Sequence, residues 1–232
     1  MRRIEGVAMT SHTAVLTERG SAQAVPSTPV PVDLSTAPSA AFFAGNPGSV
    51  GVPVFVAGSV ALGLVLIGYV PPSAVGASIP IIGAATGVGL VISTVWAAAV
   101  GQTMVASVFG IFAGFWLSYA ALVLGLTHNW FAISASAAVH TQGLYLITWL
   151  VILVMLTLAT VRLPLAFTVL FVLIDAALAV LIAATINGSS NLTKVGGVLV
   201  FAFAAVGVYI YLALASTETG GPTVPLGRPV IG

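Results

Sequence analysis

The sequence predicts an all-α integral membrane protein, a bundle of six transmembrane helices with polar N- and C-terminal tails. Of the 232 residues, 59% are apolar and only 5% are Asp, Glu, Lys or Arg, whereas a soluble domain carries about 25% charged residues. The apolar residues fall into six runs, each close to the roughly 20 residues that cross the hydrocarbon core of a bilayer. Six basic and five acidic residues could not cover the surface of a soluble protein, so we exclude a soluble enzyme and a disordered scaffold.

The two ends of the chain differ in composition from its middle. Residues 1–45 contain three arginines and a Pro/Ser/Thr-rich stretch at 26–38, and the apolar segment of a cleaved signal peptide does not follow the first arginines. We therefore expect 1–45 to be a disordered cytoplasmic tail. Residues 216–232 are rich in glycine and proline and are predicted to form a cytoplasmic C-terminal tail, which leaves 46–215 as the membrane domain.

Residues typical of turns separate the six predicted spans. The spans cover 50–70, 79–100, 105–124, 143–161, 165–186 and 195–215. The separators are Pro71-Pro72, Gly101-Gln102-Thr103, the polar stretch 127–142, Arg162-Leu163-Pro164 and residues 187–191. Because backbone polar groups cannot remain unsatisfied in lipid, each span is predicted to be a helix.

The basic residues give the bundle an orientation. Six spans place both termini on one side of the membrane. If that side is the cytoplasm, all five arginines are inside and Lys194 alone is outside, as the positive-inside rule requires. We predict a multi-pass protein of the plasma (inner) membrane with both termini cytoplasmic.

Small residues four positions apart indicate close helix packing. Gly83 with Gly87 and Gly110 with Gly114 form such pairs, which let membrane helices approach each other closely. They predict a compact bundle that assembles into an oligomer. The alternative is that glycine is simply common in membrane helices.

Asp175 is the one charged residue within the predicted spans. A carboxylate near the bilayer centre is costly unless it is neutral, paired or in contact with water. Two interpretations follow. In the first, Asp175 lies on a solute or proton pathway, and Asp175→Asn would then flatten a pH-dependent transport step. In the second, Asp175 is a protonated side chain that hydrogen-bonds a neighbouring helix.

The sequence lacks the residue patterns of catalysis and metal binding. His128 and His140 flank the third connection without a cysteine or carboxylate beside them, which favours a solvated loop over metal ligands. We expect no enzymatic activity, no metal and no cofactor. A net charge of +1 also predicts no nucleic-acid partner.

Asn46-Pro47 has the composition of a helix start. Asn is a good N-cap and Pro is favoured at the first helical position. The free amides and the positive end of the helix dipole at such a start can bind an anion. The alternative is that these residues only begin the helix.

Asn46-Pro47-Gly48-Ser49-Val50-Gly51-Val52 resembles the Asn-Pro-Ala-Pro-Leu-Gly-Leu signature of the acetate uptake transporter family, the succinate–acetate permease type. Further similar stretches follow in the family's order, and together they cover about residues 44–215. They are Trp96 with Gly101-Gln102-Thr103, Phe109 with Phe115-Trp116, Gly143-Leu144-Tyr145 with Trp149 and Arg162, and Lys194-Val195-Gly196-Gly197 with Tyr209 and Tyr211.

The resemblance implies a hexamer whose protomers each contain a pore for acetate and related monocarboxylates or dicarboxylates such as succinate. The apolar constriction of the family, formed by Phe, Tyr and Leu, falls on Phe55, Phe112 and Ile174. Asn46 keeps the signature position near the pore mouth. Asp175 follows the constriction position directly and occupies a site that is usually uncharged, so it joins these four as a candidate pore residue.

Other departures from the family pattern keep alternatives open. The signature has Gly-Ser in place of Ala-Pro, a charged stretch after Trp96 is replaced by 97–100, and Phe112 lacks the tyrosine hydroxyl. The leading prediction is a carboxylate transporter or channel, either passive or proton-linked, and its candidate pore dipoles are Ser93, Thr94, Thr103 and Ser107. The alternatives are a pore for ammonia, urea or a protonated acid, and a non-transporting membrane scaffold.

Overall fold

The computed structural model describes residues 44–232, so nearly all of the predicted N-terminal tail lies outside the described residues. The described chain forms α1 (Gly48–Leu66), α2 (Ser73–Ala99), α3 (Thr103–Thr127), α4 (Ala135–Thr160), α5 (Leu165–Asn187) and α6 (Ser190–Glu218). Each helix is long and apolar enough to cross a membrane, and residues 44–232 contain no strand. The predicted all-α, six-helix membrane fold is confirmed.

The second span is wound in three different ways. A 3₁₀ helix over Pro72–Ser78 leads into it, a π-helix over Pro80–Val88 follows, and an α-helix over Gly89–Ala99 ends it. The π segment begins at Pro80, which has no backbone N–H for the regular hydrogen-bond ladder. Within this segment the buried Thr86 hydroxyl donates to the Val54 carbonyl oxygen of α1 over 2.8 Å. Gly58 makes this crossing possible, because a Cβ there would lie 2.5 Å from Thr86 Oγ1.

Several helices extend beyond the apolar runs from which they were predicted, and α4 and α6 show why. α4 begins at Ala135 rather than 143, directly after Ser134 in extended conformation. α6 begins at Ser190 rather than 195, and the Ser189 hydroxyl oxygen accepts a hydrogen bond from the Leu192 N–H. Hydropathy identifies the part of a helix that lies in the hydrocarbon of the bilayer, whereas capping residues set where the helix begins and ends. The helices therefore extend beyond the apolar runs of the sequence.

The glycine pairs are used within the protomer. A Cβ at Gly87 would lie 2.5 Å from Leu117 Cδ2, and one at Gly110 would lie 3.3 Å from Thr94 Cγ2, so both glycines bring α2 and α3 together. Gly114 contacts the Trp149 ring of α4 in the same way. These contacts account for a compact bundle and give the pairs a role that needs no second protomer.

The C-terminal segment packs against the end of the bundle where α4 meets α5. After α6 the chain turns at Gly220, which has a φ of +74°. The Leu226 carbonyl accepts a hydrogen bond from the Ala166 N–H over 2.9 Å, and the Val161 carbonyl accepts from the N–H of Val230 over 3.0 Å. Leu226 also packs on the hydrophobic core. Composition predicted a tail here, and the structure shows residues 219–232 folded back onto the helices.

Candidate functional site

Three cavities lie along the described part of the bundle. One of about 330 Å³, which we call the Asn46 vestibule, lies at the end where α1 begins. One of about 560 Å³, the Gln142 vestibule, is lined by the other ends of the helices. A third of about 20 Å³, the neck, shares Phe55 and Phe112 with the Asn46 vestibule and Phe115 with the Gln142 vestibule. The neck therefore lies between the two vestibules and shares lining residues with each of them.

The neck is lined by apolar side chains from four helices. Phe55 of α1, Phe112 of α3 and Ile174 of α5 are 6%, 4% and 4% exposed and all line it. The Phe55 and Phe112 rings meet edge to face with their centroids 4.9 Å apart, and Phe203 of α6 lies 5.8 Å from Phe55. A space of this size holds about one water molecule. In this conformation the neck is too narrow for a hydrated ion.

Asn46 and Gln102 supply polar side chains to the otherwise apolar Asn46 vestibule. Asn46 Oδ1 accepts a hydrogen bond from the Gly48 N–H over 2.9 Å, and Pro47 already has helical dihedral angles. Asn46 is therefore the cap of α1, with Pro47 at the first helical position as the sequence predicted. The Asn46 side chain lies half-buried at the vestibule wall, where the first turn of α1 presents its positive dipole end.

Asp175 lies apart from the other four candidates. Ile174, Ala177 and Leu178 form the neck face of α5, and Asp175 is turned about 100° away from Ile174 on the helix. It does not line any of the three cavities. Its Oδ2 lies 2.6 Å from the Thr157 hydroxyl of α4, and its buried Oδ1 has no partner among the described residues.

The contacts of Thr157 bear on the state of Asp175. Thr157 Oγ1 lies 2.9 Å from the Leu153 carbonyl oxygen as well as 2.6 Å from Asp175 Oδ2. A hydroxyl has one hydrogen and two acceptor sites. The Thr157 hydroxyl donates to both oxygens through one shared hydrogen, or, if Asp175 is protonated, Asp175 donates to Thr157 while Thr157 donates to Leu153. In either arrangement the contact joins α4 to α5.

The predicted pore dipoles do not reach the cavities. Ser93 and Thr94 donate to carbonyl oxygens of their own helix, Gly89 O at 3.0 Å and Leu90 O at 2.7 Å. Neither they nor Thr103 and Ser107 line the three cavities. The hydroxyls of Ser93 and Thr94 therefore form hydrogen bonds within their own helix, which was the alternative considered from the sequence.

Sequence reasoning missed several residues of these cavities. Trp116 lines the neck, Gln102 lines the Asn46 vestibule, and Tyr145 lines the Gln142 vestibule with its hydroxyl donating to the Phe115 carbonyl oxygen over 2.7 Å. A local signal existed for Trp116 alone, because it follows Phe112 by one helical turn and so shares its face. Gln102 stands in a turn, where polar residues need no functional explanation.

Charged and metal-binding groups are missing from the described cavities. Among residues 44–232, no Lys, Arg or His lines the two vestibules or the neck. The same residues contain no group of three or more His, Asp or Glu that could hold a metal ion. Any solute in these cavities meets dipoles and apolar surface.

Comparisons with known proteins agree with this architecture. The model of a family described as the GPR1/FUN34/yaaH family matches residues 30–225. The meiotically up-regulated gene 86 protein of Schizosaccharomyces pombe is 35% identical over 150 residues, covering 60% of this chain and 48% of that protein, so the chain spans about half the length of this curated relative. The solved structure of the bacterial acetate channel SatP matches with a TM-score of 0.70 at 19% identity, covering 79% of this chain and 99% of that one. The structural match shows a shared helical fold.

Proposed function

The chain belongs to the GPR1/FUN34/yaaH family, the acetate transporter family that its motifs resembled, and we propose that it is a channel or transporter for acetate and related small carboxylates. The observation that carries this proposal is the alignment of two vestibules on either side of an apolar neck within one protomer. The family and the fold shared with the SatP channel support a channel or transporter rather than an enzyme.

The Asn46 vestibule is suited to a small carboxylate. Asn46 and Gln102 offer amide groups, and the first turn of α1 adds its positive dipole end. The remaining walls are apolar and accommodate a methyl group. A solute with one carboxylate and one methyl group matches both kinds of surface.

The neck controls passage in this proposal. Its walls offer no charge to replace the hydration shell of an ion, so a solute crosses only when the neck is wide enough to admit it with little water. Phe55 and Phe112 lie against each other between the Asn46 vestibule and the neck. Movement of their rings would open the passage, with Ile174 forming the opposite wall.

In this proposal each protomer has its own passage through the neck, so flux does not depend on a pore between subunits. We propose that the protein forms a hexamer, as the family resemblance implies, in the plasma (inner) membrane. The end bearing Asn46 then faces the cytoplasm, and Lys194 faces outward. Residues 1–45 and the C-terminal segment are cytoplasmic in this arrangement.

A neutral solute is the second candidate. It is favoured by the same described cavities, in which no Lys, Arg or His is present. An apolar neck admits the protonated acid, ammonia or urea at a lower dehydration cost than an anion. Comparing the flux of a charged and a neutral solute of the same size distinguishes the two candidates.

Flux of labelled acetate into liposomes containing the purified protein tests the proposal. The assay is run well above the pKa of acetic acid, so that leakage of the neutral acid through lipid is small, and protein-free liposomes measure what remains. We expect saturable acetate uptake that formate and succinate inhibit. Acetamide, a neutral molecule of similar size, is the matched solute. Acetamide flux without acetate flux would assign the pore to neutral solutes, and no flux of either would overturn the transport proposal. Uphill uptake driven by a pH gradient would identify proton coupling.

A further inference from the structure

Trp116 carries a buried hydrogen-bond donor that nothing in the described structure uses. Its side chain is 1% exposed, and the indole Nε1–H has no hydrogen-bond partner among residues 44–232. Buried polar groups without partners are rare in native proteins, and each calls for an explanation. The proposed function has not used this group.

The position of Trp116 connects the donor with the passage. Trp116 lies on α3 one turn after Phe112 and lines the neck. Among the described residues that line the neck, its side chain is the one that contains a polar atom; the others are Phe55, Leu62, Phe112, Phe115, Ile174, Ala177, Leu178, Leu181, Val200 and Phe203. Trp116 therefore carries one side-chain donor beside the narrowest part of the passage, and in the closed conformation the N–H is buried and does not reach the apolar surface of the neck.

Aromatic packing holds the indole in place and couples it to the closed neck. Phe115 meets the Trp116 ring edge to face at 5.1 Å, and Phe55 meets it in the same manner at 6.5 Å. Phe55 also packs on Phe112 at 4.9 Å. The Phe55 ring thus contacts both Phe112, with which it closes the neck, and Trp116, which carries the unused donor. Movement of Phe55 that opens the neck would therefore change the surroundings of the indole.

We propose that the Trp116 indole N–H donates a hydrogen bond to an oxygen of the solute as it crosses the neck, which makes Trp116 the solute-binding residue of the constriction. This inference rests on the proposed function. Indole is a donor only, so it favours solutes that present an acceptor, and its hydrogen bond to a carboxylate is charge-assisted. The donor replaces part of the hydration that the solute loses in the apolar neck.

Trp116→Phe tests the proposal, because it removes the N–H and keeps an aromatic ring. Loss of a hydrogen bond to a charged group lowers acetate flux by about ten- to a hundredfold. Trp149→Phe is the matched control, since Trp149 packs edge to face on Phe115 at 5.5 Å but does not line any of the three cavities. We expect the control to retain wild-type flux.

Nuclear magnetic resonance of the indole N–H separates binding from packing and does not require the Trp116→Phe variant to fold. The chain has four tryptophans, so a protein carrying W96F, W130F and W149F shows the Trp116 signal alone. We expect acetate to shift this signal over the concentration range in which flux saturates, and chloride not to shift it. An unchanged signal, or wild-type flux in Trp116→Phe, would overturn the inference. Absence of acetate flux in the wild type would instead overturn the proposed function.

Discussion

Replacing Phe55 by alanine should join the Asn46 vestibule to the neck. Phe55 lines both the 330 Å³ vestibule and the 20 Å³ neck, and its ring contacts Phe112, Trp116 and Phe203 at centroid distances of 4.9, 6.5 and 5.8 Å. No other side chain makes all three contacts among the described rings. Its removal therefore takes away the common element of the closed neck.

The size of the effect follows from packing. A narrow apolar site discriminates by about tenfold or more against one additional methylene group. If Phe55 sets the width of the neck, Phe55→Ala raises the ratio of propionate to acetate flux by about tenfold. Truncation of a buried phenylalanine also costs about 3–5 kcal/mol of stability. We expect the lower end of this range, since the new void opens into an existing vestibule and can admit water.

The assay compares labelled acetate and propionate uptake in the same liposomes at matched protein content. Phe201→Ala is the control, because Phe201 is a half-buried aromatic residue of α6 that packs against Gly63 and lines none of the three cavities. Thermal unfolding in detergent shows that both variants are folded. Equal flux ratios in wild type, Phe55→Ala and Phe201→Ala would refute the assignment of Phe55 to the constriction.

Three further predictions concern the other parts of the site. Asp175→Asn keeps a donor for Thr157, so the pH profile of flux and the unfolding temperature should stay near wild type. Asp175→Ala should lose about 1 kcal/mol of stability. A pH profile flattened by Asp175→Asn would instead assign this group to proton coupling. Asn46→Asp retains the cap but puts a negative charge in the vestibule wall, so acetate flux falls strongly. Asn46→Ser retains the cap and loses only the amide, so its flux falls less. Equal flux in the two variants would contradict a role at the mouth. Deletion of residues 220–232 removes the acceptor for the Ala166 N–H and should speed hydrogen exchange there, and unchanged exchange would show that the segment does not protect this corner.

The spans were predictable because lipid imposes a length and a polarity on each of them. The cap at Asn46 was predictable for a similar reason, since two adjacent residues contain all of its chemistry. Helix packing is different. Phe55, Phe112 and Ile174 lie on three helices, and their meeting depends on rotations and crossing angles that local patterns do not specify. Family resemblance supplied these positions, and the structure brings the three side chains to one small cavity.

Two regions were harder to predict because composition describes residues and not their partners. Glycine and proline in 219–232 indicate that no helix continues. They do not predict docking, which depends on Leu226, on the Val161 carbonyl at the end of α4 and on the Ala166 N–H of α5. Asp175 attracted attention as a lone charge beside a constriction position. Asp175 is one residue after Ile174, and this step of about 100° turns it away from the face of α5 that lines the neck. Its partner Thr157 lies 18 residues earlier, on another helix.

The scarcity of charge now bears on how the passage works. Because no Lys, Arg or His lines the described cavities, the proposed selection of a carboxylate would have to come from weaker groups placed one after another along the path. The amides of Asn46 and Gln102 with the start of α1 lie at one end, and the buried indole N–H of Trp116 lies beside the neck. Dipoles bind an anion less tightly than fixed charges do, which also lets it leave. In the proposed function the closed aromatic neck would also block other ions, because an apolar space for about one water molecule cannot hold a hydrated charge.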